Sequence, residues 1–295
     1  MTCQFGCIHG TLSQFADKVA EQAVRALMTE VCIAPKPGLV DRVNSGTHRD
    51  MDIFTFVDSA TALFPYFRDI TAYSLTYDGT YDTLLPKLAP RGIQAERNMA
   101  SATGGVNTHK GAIFSLGILC AAIALAAKSR DRAEEIALQD LCIAIAGSRV
   151  RTPAPEADDM TNGARIYAQH GISGILGEAA AGFPHVFALA LPLLREWTKR
   201  GNTIETAGVV ALLHLIARVD DTNVIARCGI ETLREVQTMV SAELTELSNT
   251  RDPARYRTYA AELDSLFIQN GISPGGCADL LAAALFINAI FSPEK

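Results

Sequence analysis

The run Gly111–Ala127 constrains this chain more than any other feature. It is apolar on every side, rich in alanine, free of charge and bracketed by Lys110 and Lys128. It falls short of the roughly 20 residues needed to span a bilayer. A helix with no polar face must be wrapped by other helices. The rest of the chain therefore has to supply amphipathic partners that bury it.

Those partners are legible. Leu12, Phe15, Val19, Ala23 and Leu27 recur at three- and four-residue steps. So do Ile53, Phe56, Ala60, Leu63, Phe64 and Phe67, behind Asp50 or Asp52 as the cap. Thr161–His170 reads as a short helix stopped by Gly171, and Thr203 caps Glu205–Ala217. Helices over Ile225–Leu247, Pro253–Gln269 and Ala278–Phe291 complete the set. There is no strand alternation and no internal repeat. Thr152-Pro153-Ala154-Pro155 reads as a connection, because the composition is the same on both sides. The expectation is one all-α domain over residues 1–295, built around a buried central helix.

Composition narrows the function classes. Hydrophobic residues at 48% against 20% charged exclude wholesale disorder. The 26 basic and 32 acidic residues leave a net charge of −6, which excludes a globally basic nucleic-acid binder. Seven cysteines, scattered and without a CxxC pair, fit reduced thiols in a cytoplasm. Cys3, Cys7 and His9 lack a fourth ligand and do not read as a metal site. No Lys or Arg precedes Lys18, unlike a secretory signal. A soluble cytoplasmic protein with neither membrane nor nucleic-acid partner is expected. An apolar-rich helical chain of this kind suits a homodimer.

Five stretches break the helical pattern in one manner, packing Gly or Pro beside Asn, Asp, Lys, Arg or Ser. They are Pro35–Asp41 running on through Asn44, Gly46, His48 and Asp50; Gly104–Gly111; Gly177-Glu178-Ala179 with Gly182; Asp220–Asn223 with Arg227; and Ser273–Gly276 with Asp279. Glycine lets backbone approach a ligand, and the free N–H groups of a helix start attract anions. Lys110 and Gly275-Gly276, each opening a helix, are thus candidate phosphate seats, with Lys36 and Arg227 adding charge. Asp41, Glu178, Asp221 and Asp279 lie in the same kinds of segment. Hard oxygen ligands beside phosphate seats point to Mg²⁺, which takes few protein carboxylates and completes its shell with phosphate and water. The residues alone therefore read as Mg²⁺ plus a polyphosphate in an all-α protein. No GxxxxGK[ST], kinase signature or GxGxxG after a strand is present.

These stretches, in this order, resemble the triphosphoribosyl-dephospho-coenzyme A synthases. The most specific are KPGLVDRVNSGTHRDMD from Lys36, GVNTHKGAIFSLG from Gly105, DTNV from Asp221 and SPGGCADLL from Ser273. The resemblance implies transfer of a 5-triphosphoribosyl group from ATP to the 2′-hydroxyl of 3′-dephospho-CoA, with loss of adenine. The product is then the prosthetic-group precursor for the acyl carrier subunit of citrate lyase, or of malonate decarboxylase in a related branch. A separate holo-synthase attaches it. An ATP nucleosidase and a non-catalytic nucleotide-binding protein are the alternatives.

Such a reaction needs a clamped triphosphate, a deprotonated 2′-hydroxyl and an adenine that gains a proton. It passes through an oxocarbenium-like state. Lys36, Gly38, Lys110, Arg227, Ser273, Gly275 and Gly276 suit the clamp, and Asn44, Asn107 and Asn223 suit ribose or adenine. Glu178 or Asp41 suits the base, and Asp221 and Asp279 suit the metal. His109 is either the acid for adenine, its ordinary pKa being near neutral, or a loop-bonding histidine. His48 is a weaker version of the same choice, His170 and His214 read as structural, and His185 is undecided. Asp41, Glu178 and Asp279 have capping readings beside these. A lysine at a helix N-terminus is locally unfavourable, so Lys110 gains from a phosphate partner. The chain departs from the family at Leu176, where an Arg is usual, so Arg165 or Arg227 is expected to cover that phosphate. Cys228 and Cys277 are milder departures.

Overall fold

Thr11 opens the first helix with a capping box: its hydroxyl accepts from the Gln14 N–H, and the Gln14 side chain returns the bond. The computed structural model describes residues 11–128, 135–147 and 161–292. Cys3, Cys7, His9 and the Thr152–Pro155 connection lie outside the described residues.

Thirteen α-helices and no strand occur among the described residues. They are α1 (Leu12–Cys32), α2 (Ile53–Ala62), α3 (Phe64–Thr76), α4 (Leu84–Ala102), α5 (Lys110–Lys128), α6 (Glu135–Ala146), α7 (Asn162–His170), α8 (Gly174–Ala180), α9 (Leu191–Lys199), α10 (Ile204–Ile216), α11 (Thr222–Thr250), α12 (Pro253–Asn270) and α13 (Gly275–Phe291). A 3₁₀ turn, Tyr81–Thr83, precedes α4, and a π-helical segment, His185–Ala190, runs into α9.

The apolar run is the core helix it was expected to be. By length and hydropathy α5 could cross a membrane, but most of its surface is buried in the protein. It packs on α3, α4, α6 and α13, while α1 lies across α3 and α13. One hydrophobic core joins these helices with α9, α10, α11 and α12. Each Leu or Ile fully buried there contributes about 1.5–3 kcal/mol.

Four elements differ from the sequence reading; the last helix, expected from Ala278, starts at Gly275. The stripe Ile53–Phe67 is two helices, not one: α2 ends at Ala62 and α3 restarts with Pro65 in its first turn. Proline has no N–H for the preceding turn and collides with the carbonyl four residues back. Asp52, rather than Asp50, caps α2, accepting from the Thr55 N–H at 2.9 Å. The helix after Asp221 begins at Thr222 and is kinked at Gly229, whose φ is 90°. Glu178, given a capping reading from sequence, lies inside α8, which starts at Gly174.

Candidate functional site

The C-terminal ends of α1 and α12 meet the N-terminal ends of α5, α11 and α13. Each helix start carries unpaired N–H groups and a partial positive charge. Two carboxylates stitch the three starts together. Asp221 caps α11, its Oδ1 accepting from the Asn223 N–H at 2.8 Å, and its Oδ2 accepts from the Cys277 N–H in α13 at 2.9 Å. Asp279, one turn into α13, accepts a bond from the Ala112 N–H in α5. A Cβ at Gly111 would lie 1.9 Å from Asp279 Oδ2, so a side chain there would displace the carboxylate from its bond to α5.

Burial pushes the carboxyls of both Asp221 and Asp279 above the usual range. Asp279 is pushed furthest, because Glu30 and Asp221 add their repulsion. Gly275 and Gly276 open α13 against Asn223 and Asp221 respectively.

The loop after α1 is held on this end by buried charge. Lys36 is 1% exposed and its ammonium is paired with Glu30 in the last turn of α1. Burial pushes the Glu30 carboxyl up even against the opposing pull of Lys36. Asp41, 3% exposed, accepts from the backbone N–H groups of Lys36 (2.9 Å), Val43 (2.6 Å) and Asn44 (3.0 Å). Asp264 on α12 accepts from the Gly38 N–H and from Asn44 Nδ2, both at 2.9 Å. Gly38 has φ +70°, and a Cβ there would come within 2.1 Å of the Ile272 carbonyl oxygen. His48 Nε2 lies 3.1 Å from Ser273 Oγ, and Arg227 donates to Thr47 Oγ1 at 3.2 Å. Burial and Arg227 push His48 below its ordinary pKa.

His109 precedes α5. Its Nδ1 lies 2.7 Å from Ser59 Oγ, and its Nε2 is buried without a protein partner. Burial, reinforced by Lys36, pushes its pKa down to about 3. The near-neutral pKa expected of it is therefore not its pKa in the fold, and the ring is neutral at pH 7. Asn107 Oδ1 accepts from the Lys110 N–H at 3.2 Å, and Lys110 Nζ reaches Glu96 on α4 at 3.0 Å, near the surface. Glu178 accepts from both the backbone N–H and Nδ1 of His185, at 2.8 Å each. That bond raises the His185 pKa.

The structure thus brings Lys36, Gly38, Asp41, Asn44, His109, Asp221, Asn223, Ser273, Gly275, Gly276 and Asp279 to one end of the bundle, with Arg227 beside His48. Glu178 stands on the flank, near enough for its charge to raise the Cys277 thiol. Lys110 turns away to Glu96, and Leu176 is 41% exposed on α8. His214 is structural, bonded to the Val210 carbonyl. Glu30, Ser59, Thr108 and Asp264 are contacts that the sequence did not single out, and His185, undecided there, is the partner of Glu178. Glu30 and Asp264 carried a signal, since each falls in register with the buried face of its helix.

Fold and geometry together define an all-α protein whose helix starts, buried cation and carboxylates converge at one end of the bundle. Residues 16–295 match the family described as CitG: ATP:dephospho-CoA triphosphoribosyl transferase. The probable 2-(5''-triphosphoribosyl)-3'-dephosphocoenzyme-A synthase of Pectobacterium carotovorum subsp. carotovorum (strain PC1) is 37% identical over 281 residues, 93% of this chain and 91% of that one. The 2-(5''-triphosphoribosyl)-3'-dephosphocoenzyme-A synthase of Pectobacterium atrosepticum is 38% identical over 266 residues, 90% of this chain and 86% of that one. The probable synthase of Citrobacter koseri is 39% identical over 281 residues, 93% and 91% of the two chains. No solved structure matches the chain. The chain belongs to the ATP:dephospho-CoA triphosphoribosyl transferase family and is a transferase.

Proposed function

We propose that this chain joins the 2′-hydroxyl of 3′-dephospho-CoA to the anomeric carbon of the ATP ribose and releases adenine, keeping the triphosphate. The carrying observation is the meeting of three helix starts with the Lys36 loop, an anion-receiving end lined with carboxylates. The 2′-oxygen forms the new C–O bond as the C1′–N9 bond breaks. The hydroxyl proton goes to a carboxylate, and adenine leaves with a proton regained through solvent.

Glu178 is the proposed base: Asp41 is held by three backbone N–H groups, whereas Glu178 is bonded to one residue, the half-buried His185. The N–H groups opening α13 and α5, with Arg227 at the rim, hold the triphosphate, and Lys36 keeps the loop bearing Gly38 in place. Ser273, Asn107 and Asn223 line the nucleotide. Among the described residues no cluster of three or more His, Cys, Asp or Glu is placed to hold a metal. A Mg²⁺ ion that takes only Asp221 and Asp279 from the protein still fits, since their crowded negative charge favours a cation. When bound, Mg²⁺ supplies charge neutralisation across the phosphates. A groove of about 350 Å³ between α7 and α11, lined by Asn162, Arg165, Gln169 and His170, is the proposed entry for the acceptor.

The product is proposed to serve a citrate lyase or malonate decarboxylase carrier through a separate holo-synthase. The five described cysteines are free, which supports a cytoplasmic setting. A homodimer is the assembly to test by sedimentation. The deciding experiment is adenine release from ATP and Mg²⁺ with and without 3′-dephospho-CoA, with product masses recorded. Release only with acceptor, beside an adduct heavier by a triphosphoribosyl group, is expected. Equal release without acceptor makes the chain a nucleosidase, and none at all moves it to nucleotide binding.

A further inference from the structure

His109 is 3% exposed, and its Nε2 finds no partner in the protein. Buried polar atoms are nearly always satisfied, so an orphan of this kind asks for a ligand atom. The other ring nitrogen is fully accounted for. The Thr108 hydroxyl donates to Ser59 Oγ at 2.6 Å, and Ser59 Oγ lies 2.7 Å from His109 Nδ1. Ser59 is wholly buried, and its hydroxyl hydrogen has one acceptor among the described residues, His109 Nδ1. Were the imidazole proton on Nδ1, the Ser59 hydrogen would be buried with nothing to receive it. The directions therefore run Thr108 to Ser59 to His109, leaving the ring proton on Nε2. The edge-on contact with Phe56, ring centroids 4.9 Å apart, and the backbone N–H to Met99 Sδ at 3.3 Å hold the residue in that pose. Neither hydroxyl stood out in the sequence.

We propose that Ser59 and Thr108 are positioning residues that lock His109 as its Nε2–H tautomer, so that a neutral imidazole offers one N–H to an acceptor atom of the bound nucleotide. The substrate half of this rests on the transferase reading above; the tautomer half does not. A neutral ring fits the place. Its charged form is opposed by burial, by Lys36 and by the positive start of α5, and a neutral imidazole held in this way still polarises an acceptor. No proton leaves the ring in this role. It donates a hydrogen bond that strengthens as negative charge develops on the acceptor.

The test reads tautomer and activity separately. Long-range ¹H–¹⁵N spectra of the full chain, labelled at histidine and free of ligand, should place the His109 proton on Nε2 at pH 7. Ser59→Ala should mix the tautomers and Ser59→Thr should restore them. Thr108→Val, at a half-buried position, gives a partial shift and serves if Ser59→Ala fails to fold. In the transferase assay, kcat of Ser59→Ala should fall about tenfold or more, as for one lost directed hydrogen bond, with Ser59→Thr recovering most of it. A His109 proton on Nδ1 in the unaltered protein overturns the proposal whatever the activity. An Nε2 proton with unchanged kcat in Ser59→Ala and Thr108→Val overturns its catalytic half. Absence of adenine release from the unaltered protein, with the Nε2 proton in place, overturns the transferase reading instead.

Discussion

The ammonium of Lys36 is closed inside the protein against the carboxylate of Glu30. The pair ties the last turn of α1 to the loop that carries Gly38 and Asp41. Removing one member of a buried pair leaves the other uncompensated, at about 3–5 kcal/mol. Lys36→Met and Glu30→Gln are each expected to destabilise on that scale. The double variant should recover a large part, because no charge is then stranded. A double-mutant cycle by urea denaturation measures this, and additive losses would mean that the two charges act independently.

Gly38→Ala meets two obstacles. The left-handed backbone costs a non-glycine residue about 1–2 kcal/mol, and the new Cβ would collide with the Ile272 carbonyl. The variant should lose at least that much stability and bind ATP more weakly, because the loops around Lys36 and Ser273 are forced apart. Denaturation and ATP titration check the two effects, and a fully stable variant would refute the close approach.

His109 makes the fold sensitive to acid. Its folded pKa of about 3 lies below the ordinary 6.5. The stability linked to it is complete above pH 6.5 and is lost as pH falls toward 3, at up to about 1.4 kcal/mol per pH unit. His109→Gln should flatten the pH dependence of stability across that interval. Parallel curves for the two proteins would show that the histidine titrates normally.

The Glu178–His185 pair has the opposite sign. Its hydrogen bond raises the His185 pKa above 6.5. The contribution is complete below pH 6.5 and fades as pH rises through the raised value. Thermal melts of the unaltered protein and His185→Gln should therefore differ most at pH 6 and converge toward pH 9. A difference that grows with pH would sink this reading.

Much of the fold was written in apolar spacing, because a helix buried on all sides and its striped neighbours leave few other arrangements. Local chemistry is where the reading went wrong. Pro65 splits a stripe that spacing alone continues, and Gly229 kinks another. At the site, Gly-rich and acidic stretches marked which loops matter, and the fold brings most of their residues together. Spacing could not say that Asp41 would be consumed by three backbone N–H groups, or that Lys110 would turn to Glu96. Those outcomes depend on neighbours distant in sequence.

The sequence by itself determined a helical bundle around Gly111–Ala127 and the five breaks that carry its chemistry, since periodicity and backbone freedom are local properties. Only the tertiary structure decided which charges are buried, which are paired and which way a proton points. Lys36 needed Glu30, Asp279 needed the start of α5, and His109 needed Ser59 fifty residues away. Desolvation and hydrogen bonding act on distance in space, and that distance exists only once the helices have packed.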